Sequence, residues 1–256
     1  MIHQHHHDQD LYPSETLFGQ PLVSTLPRIR WGHTAFVLPN SQIVVCGGKS
    51  KHHNVALSKN CISLDPQTSL WSNHSNLSQP RIYASEVTMP NGMVLLVGGW
   101  YSERTSEVLM PGSTKWTKGP HLPHPLDSAC ALPMDDNTFV AIGGGMYHTK
   151  VISYNIATSK WNDTWPQLAE GRRGHSCSKL GSNLMVAGGY SYTTFAYSDS
   201  TIMIDAITGH KLTSIYPQGT ENRLNWLEHQ GKLIVSHFKN AIKEICLVYM
   251  TFVSLN

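Results

Sequence analysis

The chain has 256 residues, 40% of them apolar and 14% charged, which suffices for one sizeable folded domain and excludes a long disordered region. A net charge of +2 is too small by itself to point to nucleic acid or to an anionic membrane. No apolar run is long enough to cross a bilayer.

The first fourteen residues carry His3, His5, His6 and His7 and read as a flexible tail, because a mobile segment rarely holds the fixed geometry of a metal site. They contain no apolar core such as a secretory signal requires, so the expectation is an intracellular protein, cytoplasmic or nuclear and not secreted. Five cysteines, Cys46, Cys61, Cys130, Cys177 and Cys246, agree with that expectation. They lack metal-ligand spacing and are read as small buried hydrophobes. Sequons at Asn73, Asn76 and Asn162 are read as ordinary polar loop residues.

The segment Leu17-Phe18 through Pro27-Arg28 aligns without a gap on Leu70-Trp71 through Pro80-Arg81. Residues 15–21 therefore read as the last strand of a unit whose earlier strands lie elsewhere. A four-part unit then begins: an inner strand, an apolar strand ending in Gly-Gly, a third strand, and a turn that delivers a tryptophan. The unit over 28–77 has Ile43 to Cys46 before Gly47-Gly48 and ends at Trp71; that over 80–122 has Met93 to Val97 before Gly98-Gly99 and ends at Trp116. In the second unit Asn91-Gly92 makes a tight hairpin turn. The third, over 124–168, has Phe139 to Ile142, Gly143-Gly144 and Trp161; the fourth, over 172–216, has Gly188-Gly189 but Lys211 where tryptophan is expected. A fifth, over 223–256, is degraded: Leu233 to Phe238 fills the slot of Leu184 to Gly189, and Glu244 to Tyr249 is its third strand. The second, third and fourth doublets are 45 residues apart, as are Trp116 and Trp161. A constant interval of this size means an array of small units that bury their apolar faces against one another.

Paired glycines at a strand end suit a backbone that turns or approaches a neighbour closely. Gly-Gly followed by Trp at this interval resembles the kelch repeat. The resemblance implies an all-β fold, a β-propeller of four-stranded antiparallel blades spanning 15–256. Five blades are expected, closed by pairing of the strand at 15–21 with the carboxy-terminal blade, which would remove exposed sheet edges. An incomplete six-bladed propeller is the alternative.

No nucleophile elbow, phosphate-binding glycine loop or His-Glu-x-x-His motif is present, so the sequence suggests no catalytic residue, metal or cofactor. Arg30, Arg81 and Arg172 align at the starts of inner strands, each eight residues before Leu38, Met89 and Leu180. Converging at one mouth of a ring, they would bind carboxylates or phosphates; pairing with loop carboxylates between blades is the alternative. Lys49, Trp100 and Tyr190 follow the glycine doublets, with Gly145 breaking the series. In adaptor-type kelch proteins such positions contribute to a partner-binding face. The expected function is a non-catalytic interaction module for a protein or acidic peptide, an adaptor or scaffold. The resemblance implies ubiquitin-ligase or cytoskeletal partners, although the chain has no room for a BTB domain. The competing reading is a kelch-like enzyme acting on a small molecule in the central channel.

Overall fold

The computed structural model describes residues 16–17, 20–21, 25–27, 29–50, 59–145, 149–198, 200–215, 223–229 and 232–238. The four intact repeats each fold into a four-stranded antiparallel sheet in simple chain order. The first comprises Arg30–Val37, Ile43–Ser50, Cys61–Asp65 and Leu70–His74; the second Ser85–Thr88, Val94–Val97, Ser106–Leu109 and Trp116–Lys118. The third comprises Cys130–Pro133, Thr138–Ile142, Val151–Asn155 and Lys160–Asn162; the fourth Ser176–Leu180, Asn183–Ala187, Thr201–Asp205 and Lys211–Ile215. The second strand of the later three sheets is almost continuously buried, as an apolar strand covered on both faces must be.

Three apolar clusters lie between successive sheets. Phe36, Val44, Val94, Leu96 and Leu109 join the first to the second; Val87, Leu95, Phe139 and Ile152 join the second to the third; Val140, Ile142, Leu184 and Ile202 join the third to the fourth. Two of the repeat tryptophans, Trp116 and Trp161, pack against these layers. Trp116 stands edge-on to Phe36 of the preceding blade with ring centroids 5.9 Å apart, and Trp161 packs against Phe139 and Tyr154 at 5.7 and 4.9 Å. In the fourth blade Lys211 takes the tryptophan position, and the ladder there carries a register shift between Met203 and Ile204.

The glycine doublets tie one blade to the next. The second glycine donates its N–H to the next blade: Gly48 to Arg81 O, Gly99 to Leu126 O and Gly144 to Arg172 O, at 2.7–2.9 Å. A second series runs through residues with positive φ at one equivalent position, Gly32, Tyr83, Ser128 and Gly174. Tyr83 N–H donates to Gly32 O, Ser128 N–H to Tyr83 O, and Gly174 N–H to Ser128 O, at 2.7–2.8 Å. A Cβ on Gly98 would stand 2.0 Å from Leu126 O, so the close approach itself demands glycine.

The fifth repeat is described as a hairpin, Arg223–His229 with Lys232–Phe238, whose first strand lies beside the fourth blade's inner strand. Its expected third strand lies outside the described residues. Of the closing strand expected over 15–21, Thr16–Leu17 and Gln20–Pro21 are described, and these pair with each other. Two disulfides correct the reading of the cysteines as small buried hydrophobes: Cys46 bonds Cys61 within the first blade, and Cys130 bonds Cys177 between the third and fourth.

Candidate functional site

Each inner strand begins with the same local construction. Arg30, Arg81 and Arg172 occupy one slot, filled in the third blade by Leu126. The arginines do not converge on the mouth. They are 7%, 2% and 0% exposed and turn into their own blades. Nη1 of each donates to the first glycine of its doublet, Gly47 O, Gly98 O and Gly188 O, at 3.2, 2.7 and 3.1 Å. The same nitrogen also donates to the residue before the third strand, Asn60 O, Thr105 O and Ser200 O.

The physical reason is geometric. The ladder between the second and third strands ends at the doublet and leaves carbonyls with acceptor capacity to spare, and a planar, multi-donor guanidinium satisfies several of them together. Carboxylates neutralise two of the buried cations: Glu107 Oε1 lies 3.2 Å from Arg81 Nε, and Glu170 Oε2 lies 2.5 Å from Arg172 Nη2. These arginines are structural brackets.

The doublet end of the blades presents the next positions, and these make up its mouth. The residue after the arginine slot faces the residue after the doublet across the sheet: Trp31 with Lys49, Ile82 with Trp100, and Arg173 with Tyr190. In the third blade the corresponding residues are Asp127 and Gly145. Two groups result: Lys49 and Trp100 stand with Trp31, Tyr83 and Asp127, and Tyr190 stands with Arg173 and Tyr192. The repeat alignment contains the signal for these additional residues, because they neighbour the aligned arginines and doublets.

On one side the rings of Trp31, Tyr83 and Trp100 form a continuous series, with centroids 5.8 and 5.4 Å apart. All three are more than a third exposed, which is unusual for contiguous large aromatics. Lys49 Nζ stands 5.8 Å from the Trp31 ring centre. Asp127 fixes the far end: its Oδ2 accepts from Trp100 Nε1 at 2.8 Å and from Ser128 Oγ at 3.1 Å. Gly32 makes room for this series, since a Cβ there would meet the Tyr83 ring at 3.1 Å.

On the fourth blade the Arg173 guanidinium lies 5.6 Å from the ring of Tyr190 and 5.4 Å from that of Tyr192. Tyr190 also contacts Tyr197 edge-on at 5.4 Å. A short three-stranded sheet holds the group, built from Arg172–Arg173, Tyr190–Ser191 and Ala196–Tyr197. Three positions past Arg30 and Arg172 stand His33 and His175. Burial and the neighbouring Arg172 push the His175 imidazole down to about 3, and burial with Arg30 lowers His33. Both histidines stay neutral at ordinary pH, so among the described residues set against these rings the positive charge comes from Lys49 and Arg173. Among the described residues, no group of three or more His, Cys, Asp or Glu is placed to hold a metal ion.

A solved structure described as that of YjhT superposes with a TM-score of 0.61 at 18% identity, covering 75% of this chain and 71% of that one. The fold is a β-propeller. No family model matches the sequence, and no curated protein matches it. At this identity the likeness concerns architecture alone, and the use of the mouth must be argued from its own residues.

Proposed function

We propose that this kelch-type propeller is a binding module that grips a protein partner through an extended acidic segment laid across the glycine-doublet mouth. The observation that carries the reading is the company of aromatic rings and cations among the described residues: Trp31, Tyr83 and Trp100 in one series, Tyr190 and Tyr192 in another, with Lys49 and Arg173 against them. Rigid aromatic rings give contact area at low entropic cost. Cations held over them supply direction and favour carboxylates. The rings are already packed on one another, and Trp100 is already anchored to Asp127, so little ordering remains at the moment of binding.

Selection from a display library of short peptides tests this. Acidic sequences containing aromatic or aliphatic anchors should be enriched on the full chain. Enrichment should disappear with Arg173→Ala combined with Lys49→Ala, and with Trp100→Ala, while each variant keeps its unfolding transition. Enrichment of basic peptides, or acidic enrichment unchanged by these substitutions, would overturn the reading.

A further inference from the structure

Four of the five cysteines meet in two bonds that join different parts of the fold. Cys46 and Cys61 are direct partners on adjacent strands. The equivalent pairs in the second, third and fourth blades are Val97 with Ser106, Ile142 with Val151, and Ala187 with Thr201, so among these four blades cysteine meets cysteine at this position in the first. Cys130 and Cys177, 47 residues apart, join the inner strands of the third and fourth blades. Chance placement of small apolar residues does not explain two such pairings. Bonds of this kind persist where the surroundings are oxidising.

The same compartment gives meaning to the sequons. Asn162 is exposed at the end of Lys160–Asn162, the outermost strand of the third blade, with Asp163 and Thr164 exposed beside it. Its Oδ1 accepts from Thr164 N–H at 2.9 Å and from Thr164 Oγ at 2.7 Å, which occupies the carbonyl edge of the amide and leaves the Nδ2 edge for reaction. Asn73 is likewise exposed on the outermost strand of the first blade. Asn76 is different, because the rest of its sequon is pinned to the fold. Leu77 is buried and its N–H donates to Lys59 O, Ser78 N–H donates to Glu107 Oε2, and Asn76 Oδ1 itself faces Asn60 Nδ2 at 3.4 Å.

We infer that the chain matures in an oxidising, glycan-transferring compartment, where Cys46–Cys61 and Cys130–Cys177 form and Asn162 receives an N-linked glycan. Asn73 is the second acceptor. This reverses the intracellular placement expected from the amino terminus and, in agreement with it, from the cysteine count. In forming each bond, two thiols pass two electrons and two protons to a disulfide-bearing oxidant, which leaves as two thiols. In the transfer, Nδ2 displaces a lipid pyrophosphate from the anomeric carbon of an activated glycan. An N–C bond replaces the C–O bond, and the amide proton leaves to a base of the transferase. Both acceptor sites lie on fourth strands, three removed from the inner strands that open the mouth, so glycans there leave the binding face clear.

The test is mass spectrometry of the full chain isolated from the cells that make it. Peptide-N-glycosidase in heavy-oxygen water should convert Asn162 and Asn73 to heavy-labelled Asp, and Asn76 should remain Asn. Alkylation before reduction should leave Cys46, Cys61, Cys130 and Cys177 unmodified. An Asn162→Gln variant should be recovered folded and lighter by one glycan. An unmodified Asn162, or alkylation of these four cysteines without reductant, would overturn the proposal.

Discussion

Arg81 and Glu107 form an ion pair at 3.2 Å with both side chains almost wholly removed from solvent. Glu107 also accepts from Ser78 N–H at 2.7 Å, and Arg81 holds three backbone carbonyls, so the pair is the centre of a network and not an isolated contact. Removing one partner strands the other charge in the interior, at a cost of about 3–5 kcal/mol. Arg81→Ala should lower the unfolding free energy by that amount, read as a fall in the denaturant midpoint. Arg81→Lys should recover only part of it, because an ammonium cannot reproduce the fork. An Arg81→Ala protein of unchanged midpoint would contradict the bracket role.

Glycine is required at Gly98 for two reasons and at Gly112 for one. Both have positive φ, but a Cβ at Gly98 would meet backbone at 2.0 Å whereas one at Gly112 meets nothing within 4 Å. Gly112→Ala should therefore cost about 1–2 kcal/mol, the penalty of a left-handed conformation alone. Gly98→Ala must push two blades apart and should cost several times more. Thermal unfolding of the two variants separates the effects; equal losses would mean that interblade contact is not what selects the doublet.

The pH dependence of stability should have two limbs of opposite sign. His175, depressed to about 3 from its usual 6.5 by burial and Arg172, favours the fold when neutral; stability should fall as pH drops from 6.5 toward 3. Glu86, raised to about 7 from 4.5 by burial, favours the fold when protonated; its contribution should fall as pH rises from 4.5 to 7. Glu86→Gln should remove the second limb and His175→Gln the first. Denaturant midpoints measured across this range would show it, and a profile unaltered by either substitution would contradict the assignments.

Much of the architecture is legible in the repeats. The spacing of Gly-Gly and Trp marks out four blades, and Trp116 lies between sheets as a gap-filling residue should. The arginines are legible as a series along the chain, but the direction of their side chains is not. A repeat alignment fixes the blade position of a side chain and leaves its rotamer open, and guanidinium suits buried carbonyls as well as an exposed carboxylate. The disulfides are hidden because the partners of each lie 15 and 47 residues apart, so only strand register and blade packing bring them together.

The aromatic mouth is most directly tested by hydrogen exchange on the full chain with and without a selected acidic peptide. Protection should appear at residues 31–33, 82–84, 100–101 and 173, and be absent from the outermost strands Leu70–His74 and Trp116–Lys118. Protection confined to those outermost strands, or none at the mouth while the peptide is bound, would contradict the account.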